Sequence, residues 1–390
     1  SFSFGWRISE ENFFKVDFVD NLKLRASWGQ LGNQEIDDYL FYDTYSFGYD
    51  YSFGNTLFSG ISINDVMANS AITWEKTDQI DVGIDADFWG GKLSFTGDFF
   101  LKNTHAILLK LPMPDLIGVD APMQNAGKVR NTGFELALTH RNQLNLFKYS
   151  ASFNFSYVKN EITDLNGGDI PGRSVGDPVD NIYGYVCEGI FRTQEEIDNS
   201  CSQIWGAVPG DLKYADINND NVVDQSDRIS LGSTFPKINF GLRLNCEYRN
   251  FDLTMLMQGA GMVKGVTAGE ISQAFMNGGK VTEEWLDRWT PNNINASYPR
   301  LTLSSSSRNY MTSSFWVQNA SYLKMRNLQI GYTIPKHLLT NWGISNLRLY
   351  CSIDNLFTIT NFKGLDPEMV TSSTLYPLTR NYSFGVNLSF

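Results

Sequence analysis

Residues 378–390 read Leu-Thr-Arg-Asn-Tyr-Ser-Phe-Gly-Val-Asn-Leu-Ser-Phe, and from Asn381 onward every second side chain is apolar. Successive side chains of a β-strand point to opposite faces, so the stretch predicts a strand with one aromatic, apolar face and one small or polar face. About ten such residues make one crossing of a transmembrane barrel. The terminal strand of a soluble protein is usually short or frayed. The stretch therefore favours a membrane-spanning strand.

The same alternation recurs along the chain and predicts about eleven strands. In one segment the alternation is interrupted. The apolar residues occupy odd-numbered positions up to Met325 and even-numbered positions from Leu328 onward. This change predicts a β-bulge near Arg326 or Asn327. The eleven predicted segments are residues 1–6, 22–31, 76–88, 93–101, 134–139, 147–157, 242–248, 251–257, 323–332, 347–354 and 378–390.

The connections between these segments alternate strictly in length. Short turns are predicted near Asp17, Gly90, Gln143, Asn250 and Trp342. Long insertions are predicted at residues 33–75, 103–130, 160–235, 262–321 and 361–376. Short turns at one rim and long loops at the other are typical of an outer-membrane barrel, in which the long loops face outward.

Composition excludes several other classes of protein. Of the 390 residues 14% are aromatic and 19% are charged. No run of about 18 apolar residues could form a membrane-spanning helix. The net charge of -11 argues against nucleic acid as a partner. Because the chain begins on the strand-like residues 1–6, without a Met or a signal peptide, we expect its amino-terminal part to be missing.

The alternative to a membrane barrel is a large soluble β-protein, such as a jelly roll or a propeller. The set of alternate residues that forms the apolar face of each strand contains almost no charged side chains. This is expected for a face in contact with lipid, because a Lys or Arg there costs about 2–4 kcal/mol at mid-bilayer. The other parity is rich in Asp, Lys, Arg, Ser and Asn, which a packed soluble core would not tolerate. The sequence therefore predicts an all-β fold, a transmembrane antiparallel β-barrel with long external loops. Because bacterial barrels have an even number of strands, eleven strands are about half of one.

Six runs spread over nearly the whole chain resemble one family, the SusC/RagA group of TonB-dependent outer-membrane transporters of Bacteroidetes. The runs are GWRISEE at 5–11, NLKLRASWGQLGN at 21–33, WEKTDQIDVG at 74–83, NAGKVRNTGFE at 125–135, GDLKYAD at 210–216 and YLKMRNLQIGY at 322–332. The resemblance implies a 22-stranded barrel, with residues 1–390 as the carboxy-terminal part of this single domain. It implies a plug and a TonB box in the missing amino-terminal part. It also implies a SusD-like surface lipoprotein as a lid, and import of an oligosaccharide or oligopeptide.

The polar parity of the strands would face the barrel lumen. We expect its charged side chains to contact the plug or lumen water rather than a ligand. The predicted lumen-facing residues are Asp81, Asp85, Asp98, Arg25, Arg243 and Arg348.

Residues 216–227, the predicted calcium loop, have oxygen ligands at the spacing of an EF-hand loop. The ligands would be the side chains of Asp216, Asn218, Asp220, Asp224 and Asp227 and the carbonyl of Val222. Two positions depart from the pattern, because Asn221 replaces Gly and Asp227 replaces the bidentate Glu. The alternative is a polar turn that needs no ion. A bound Ca²⁺ would stiffen an external loop.

Aromatic side chains are concentrated in two of the long loops. They would pack against a lid or other loops, form a girdle at the membrane surface, or contact substrate directly. The residues predicted for substrate or lid contact are Tyr39, Tyr42, Tyr45, Tyr49, Tyr51, Trp285, Trp289 and Trp316.

Catalysis has little support in the sequence. His105, His140 and His337 are not in HExxH spacing, and there is no GxSxG or CxxC motif. We therefore expect a transporter surrounded by outer-membrane lipids. An ungated porin-type channel, a barrel enzyme and an adhesin-like role for the loops are the alternatives. Cys187 and Cys201 lie in one long loop and would form a disulfide if that loop faces an oxidising space.

Overall fold

A computed structural model of the chain describes residues 1–35, 38–63, 66–111, 116, 120–168, 170, 172–203, 206–303, 307–370, 376 and 378–390. Within these residues the strands are, in chain order, β1 Phe2–Arg7, β2 Val19–Asn33, β3 Tyr45–Phe47, β4 Tyr51–Phe53, β5 Thr56–Phe58, β6 Ile61–Ile63, β7 Glu75–Phe88, β8 Leu93–Lys110, β9 Met123–Leu144, β10 Phe147–Asp164, β11 Asn181–Gly184, β12 Cys187–Ile190, β13 Ser202–Gln203, β14 Leu212–Tyr214, β15 Val222–Val223, β16 Ile229–Ser233, β17 Ile238–Tyr248, β18 Phe251–Gly261, β19 Lys264–Val266, β20 Val317–Asn319, β21 Tyr322–Thr333, β22 Asn346–Thr360 and β23 Asn381–Ser389.

Among the described residues, the helices that can be assigned are short and lie in the connections. The α-helix α1 spans Gln194–Asp198. The 3-10 helices are Ile8–Glu10, Gln225–Asp227, Gly269–Ile271, Met276–Gly278, Glu283–Asp287, Arg308–Tyr310, Lys336–Leu338 and Thr340–Trp342. No helix of the described residues has the length and apolar character that crossing a membrane requires.

Eleven strands form one antiparallel sheet, in the order β1-β2-β7-β8-β9-β10-β17-β18-β21-β22-β23. Each of these strands pairs with the next sheet strand along the chain, so the sheet is a meander with β1 and β23 at its edges. Each of them contains or overlaps one of the eleven segments that the alternation predicts, and several are longer than predicted. The other described strands form six short two-stranded pairs within the loops.

The five predicted insertions all lie at one rim of the sheet, the long-loop rim, and four of them are longer than every connection at the other rim. The prediction of strict alternation is wrong for the second insertion, because residues 111–122 make a connection as short as residues 334–345 at the opposite rim. The first to fifth loops span residues 34–74, 111–122, 165–237, 262–321 and 361–380.

Two loop boundaries correct the prediction. The insertions predicted at 103–130 and 160–235 are too wide, because β8, β9 and β10 continue beyond their predicted ends. The register of β8 against β9 shifts between Thr104 and Ile107, next to Ala106, whose backbone is left-handed with φ 57°. A bulge swaps the two faces of a strand, so the alternation that marks β8 in the sequence is broken there.

The predicted bulge in β21 is confirmed. Leu256 of β18 pairs with Asn327 and Met257 pairs with Met325, so Arg326 is the extra residue. The pairing of β21 with β22 shifts at the same place. The change of parity in the sequence therefore has a structural cause.

The two faces of the sheet differ as the alternation predicts. On one face large apolar side chains are solvent-exposed, including Phe384 at 82%, Phe99 at 52% and Val82 at 52%. A soluble monomer rarely exposes so much contiguous apolar area, whereas lipid tails would cover it. This apolar face is therefore suited to the hydrocarbon layer.

The opposite, polar face depends on glycines. A Cβ atom on Gly83 would lie 2.1 Å from Asp98 Oδ1 and 2.8 Å from Arg25 Nη2. A Cβ atom on Gly385 would lie 2.2 Å from the Tyr350 ring. Because glycine has no Cβ, long polar and aromatic side chains from neighbouring strands lie flat on the sheet at these positions.

The third and fourth loops pack on each other. Leu212 and Tyr214 of the third loop are fully buried, and Met311 and Phe315 of the fourth loop pack against their cluster. Apolar burial of this kind holds the two loops together at the long-loop rim.

All four cysteines are free thiols, so the disulfide considered between Cys187 and Cys201 is not formed in the structure. Both side chains pack against the cluster around Tyr214. Cys187 Sγ donates a hydrogen bond to the carbonyl of Gly189 at 3.4 Å. Burial raises the pKa of the Cys187 thiol to about 11. The thiol is therefore neutral and poorly nucleophilic near neutral pH.

Replacing Gly83 by Ala is expected to destabilise the protein by about 1–3 kcal/mol, because the added Cβ displaces the Asp98 carboxylate from Arg25. Thermal unfolding of the full-length protein in detergent, followed by circular dichroism, measures the effect. Gly261→Ala is the matched control, since its Cβ would meet the Ile238 side chain at an ordinary 3.4 Å. Equal unfolding midpoints for the two variants would contradict this role of Gly83.

Candidate functional site

The polar face of the sheet carries two clusters of ion pairs that contain four of the six predicted lumen residues. Arg25 Nε donates to Asp85 Oδ2 at 2.8 Å, and Arg25 Nη2 lies 2.8 Å from Asp98 Oδ1. Arg348 Nε donates to Asp252 Oδ1 at 2.9 Å. Each cation is matched by a carboxylate from another strand, so the clusters crosslink the sheet while keeping this face hydrophilic.

The other two predicted lumen residues, Asp81 and Arg243, have no ion-pair partner in the part of the chain that the structure describes. Arg243 is exposed and borders a concave space of about 750 Å³, together with Asp98, Glu135 and Asn154. Carboxylate, amide and guanidinium groups on one wall can hydrogen-bond to a hydrated polar solute. This part of the polar face is therefore able to contact a solute.

The predicted calcium loop is a turn that its own carboxylates close. Asp227 is fully buried and accepts hydrogen bonds from the N–H groups of Ile217 at 2.7 Å and Asp224 at 2.8 Å. Asp216 and Asp220 also accept from backbone N–H groups of the loop, at 2.7–2.8 Å. Backbone amides therefore satisfy the carboxylates that would ligate an ion.

Other features of the calcium loop agree both with a Ca²⁺ site and with a polar turn that needs no ion. Asn218 Oδ1 accepts from the N–H of Asp220 at 2.9 Å. Asn221, at the position of the EF-hand glycine, has a left-handed backbone with φ 66°. Among the residues described, no cluster of three or more His, Cys, Asp or Glu side chains is arranged to hold a metal. Calcium ligation, including that by Val222, stays a prediction.

Residues 38–63 of the first loop, the aromatic arm, form two short hairpins in which β3 pairs with β6 and β4 pairs with β5. All five tyrosines predicted for contact lie here. The exposed fractions are 68% for Tyr39, 66% for Tyr42, 65% for Tyr45, 50% for Tyr49 and 63% for Tyr51. Together, these five exposed tyrosine rings form a large amphipathic surface that a partner or a ligand can contact.

The three tryptophans predicted for contact lie inside the outer loops. Trp285 and Trp316 are only 2% and 4% exposed and pack with Ala274 in an apolar cluster. Packing within the loops, one of the alternatives for the aromatic side chains, therefore removes these two rings from the surface of the chain. Trp289 is half-buried, and its ring lies over Gly210, where a Cβ would come within 2.5 Å of it.

A buried polar network that the sequence does not predict joins the third and fourth loops. Asp211 accepts from Asn309 Nδ2 at 2.9 Å and from Arg300 Nε at 2.6 Å. The Tyr214 hydroxyl donates to the carbonyl of Arg308 at 2.6 Å. Burial raises the pKa of Tyr214, so its hydroxyl stays a neutral donor. The network fixes the relative position of the two loops.

Only part of this network has a signal in the sequence. Asp211 and Tyr214 belong to the GDLKYAD run, whereas Asn309 lies 98 residues from Asp211. No local pattern connects groups so far apart in the chain.

A second buried cluster ties β21 to the fifth loop. The side chain of Lys324 is 3% exposed, and its Nζ lies 2.7 Å from Asp366 Oδ1 and 2.9 Å from Glu368 Oε2. The Tyr322 hydroxyl donates to Glu368 Oε1 at 2.7 Å. These bonds anchor the fifth loop where β21 enters the long-loop rim.

The comparisons with known proteins agree with this architecture. A model of the family described as TonB dependent receptor-like, beta-barrel matches residues 1–356. TonB-dependent receptor P3 of Formosa agariphila is 28% identical over 419 residues, which cover 99% of this chain and 41% of that protein. TonB-dependent receptor SusC of Bacteroides thetaiotaomicron is 28% identical over 414 residues, which cover 100% of this chain and 40% of that protein. The chain thus spans about two fifths of the length of these relatives.

A solved structure shows the same similarity. A chain of the RagAB peptide importer in its "open-open" state superposes with a TM-score of 0.80 and 25% identity, over 100% of this chain and 42% of that one. The predicted barrel fold, the resemblance to SusC and RagA and the outer-membrane location are confirmed. Because the family model matches residues 1–356 of 390, the chain belongs to the TonB dependent receptor-like, beta-barrel family.

Proposed function

We propose that the whole protein, of which this chain is a part, imports an oligomeric nutrient across the outer membrane with energy delivered through TonB. The nutrient is a glycan or a peptide. The observation that carries this proposal is the family match over residues 1–356. Support for a peptide comes from the similarity to RagAB, which is named a peptide importer.

The polar face provides the transport path in this proposal. Asp81 and Arg243, together with the ion-pair clusters of Arg25 and Arg348, line the lumen and contact the plug or lumen water. Paired charges keep such a wall hydrated but bind a passing solute less tightly than unpaired charges would. Movement of the plug, driven by TonB, opens the path.

A SusD-like lipoprotein lid closes the long-loop rim in the same proposal. The aromatic arm suits this contact because its tyrosines are exposed and because Tyr and other aromatic residues are enriched in protein interfaces. The third and fourth loops are packed and hydrogen-bonded to each other, so they provide a rigid surface for the lid to contact.

The calcium loop has a supporting role in the proposal. A bound Ca²⁺ would hold the loop around Asp216 and Asp227 together and stiffen the third loop. Support comes from the oxygen spacing and from the left-handed backbone at Asn221.

Uptake is the direct test of the proposed function. Cells that express the full-length protein are expected to accumulate fluorescent oligopeptides or oligosaccharides, and deletion of tonB should abolish the uptake. An ungated porin would let the same solutes pass without TonB and would conduct ions freely in a planar bilayer. Uptake that is unchanged by tonB deletion would contradict the proposal and favour that channel.

The lid is tested by co-purification from detergent-solubilised outer membranes. Replacing Tyr45 and Tyr51 by Ser is expected to weaken the bound lipoprotein about tenfold or more, because exposed aromatic anchors dominate interface energies. Tyr376→Ser is the matched control, since Tyr376 is also highly exposed but lies outside the aromatic arm. If the native barrel purifies without a lipoprotein, or the arm variant retains it fully, the proposed contact is excluded.

Calcium binding is tested by isothermal titration of the full-length protein with CaCl₂. One site is expected, with a Kd between about 10⁻⁷ and 10⁻³ M. Asp216→Asn should remove it, whereas Asp198→Asn, in α1 of the same loop, should leave it unchanged. No heat of binding at about 1 mM Ca²⁺ would favour the polar turn over the ion site.

A further inference from the structure

The polar face turns apolar where β7, β8, β9 and β10 reach the long-loop rim. Val129 of β9 pairs with Thr104 and with Ile162. It lies an even number of residues from Glu135 and is therefore on the same, polar face of the sheet. Thr104 Oγ1 in turn lies 3.0 Å from Thr77 Oγ1 on β7. A cleft of about 190 Å³ opens here, the apolar cleft, lined by Ile107, Leu109, Val129, Ile162, Leu165 and Val179.

The size of the apolar cleft limits what it can hold. Its volume is about 190 Å³. Pockets for whole ligands usually measure about 300–1,000 Å³. The cleft therefore suits a single side chain or a group of similar size rather than an oligomer.

The rim of the apolar cleft carries two carboxylates and two cations, and among the described residues only one ion pair forms between them. Lys128 Nζ lies 2.7 Å from Asp164 Oδ2, and Glu75 Oε1 accepts from the N–H of Leu108 at 2.9 Å. Arg173 also lines the cleft and is half-buried. Its guanidinium has neither a hydrogen-bond nor an ion-pair partner among the described residues. A half-buried guanidinium of this kind is complementary to a carboxylate.

We infer that Arg173 and the apolar cleft form a subsite for the carboxy-terminal residue of an oligopeptide, one with an aliphatic or aromatic side chain. This inference rests on the proposed import function and selects peptide as the substrate class. A peptide carries a carboxylate and an apolar side chain on the same carbon only at its carboxy terminus. The guanidinium binds the carboxylate, and the side chain enters the cleft.

Other oligomeric nutrients match the subsite less well. A neutral glycan has no carboxylate for Arg173. An oligouronate has carboxylates but lacks an apolar side chain for the wall formed by Val129 and Ile162. The two halves of the subsite can therefore be tested separately.

The test measures binding of three fluorescent octapeptides to the full-length protein with its co-purifying partners. The peptides are alanine-rich and end in Leu with a free carboxylate, in Leu amide, or in Ser with a free carboxylate. The native protein is expected to bind the Leu acid about 10- to 100-fold more tightly than the Leu amide, as removal of a charged hydrogen bond predicts. Preference for Leu over Ser should be about tenfold.

Two variants separate the halves of the subsite. Arg173→Gln should abolish the preference for the acid over the amide. Val179→Phe, which fills the apolar cleft, should abolish the preference for Leu over Ser. Arg130→Gln is the matched control, because Arg130 is exposed on the opposite face of β9. It should bind all three peptides as the native protein does.

Several outcomes would overturn the inference. One is equal affinity of the native protein for acid and amide, and another is a preference that Arg173→Gln leaves intact. Tight binding of an oligogalacturonate that is lost in Arg173→Gln but unaffected by Val179→Phe would assign the guanidinium to sugar acids instead. Failure of the proposed function looks different: the octapeptide preferences would hold, but uptake would not depend on TonB.

Discussion

A backbone that crosses hydrocarbon must pair each N–H and C=O group within the protein, because no water is available there. The eleven-stranded antiparallel meander meets this constraint for all strands between β1 and β23. Side chains of successive residues then point to opposite faces, so one set of residues meets lipid and the other meets water. The exposed rings of Phe99 and Phe384 on one face and the ion pairs of Arg25 and Arg348 on the other follow from this geometry.

The polar face also depends on where side chains are absent. Gly83 and Gly331 each make room for an arginine and an aspartate, which cross a neighbouring strand and lie flat on the sheet. The paired charges are hydrogen-bonded to each other and held in place. Among the described residues, Arg243, Asp81 and Arg173 have no ion-pair partner.

The sequence predicts the sheet well and the loops poorly, for physical reasons. Strand alternation is a local signal, so all eleven strands and the bulge at Arg326 are predicted. The bulge beside Ala106 breaks that signal, and the outer part of β8 is therefore missed. Burial in the loops depends on distant contacts. An exposed tyrosine such as Tyr45 and a buried tryptophan such as Trp285 thus look alike in the sequence.

The central claim is that adjacent residues of one strand face water and lipid in turn. The side chain of Ser152 shares the polar face with its pairing partner Thr139, whereas Phe153 has the opposite parity and pairs with Leu138 of the apolar face. In full-length protein whose native cysteines are replaced by Ala, Ser152→Cys should react with a water-soluble maleimide in intact outer membranes. Phe153→Cys should react only with a lipid-soluble one. Equal labelling of both positions by the water-soluble reagent would contradict the account.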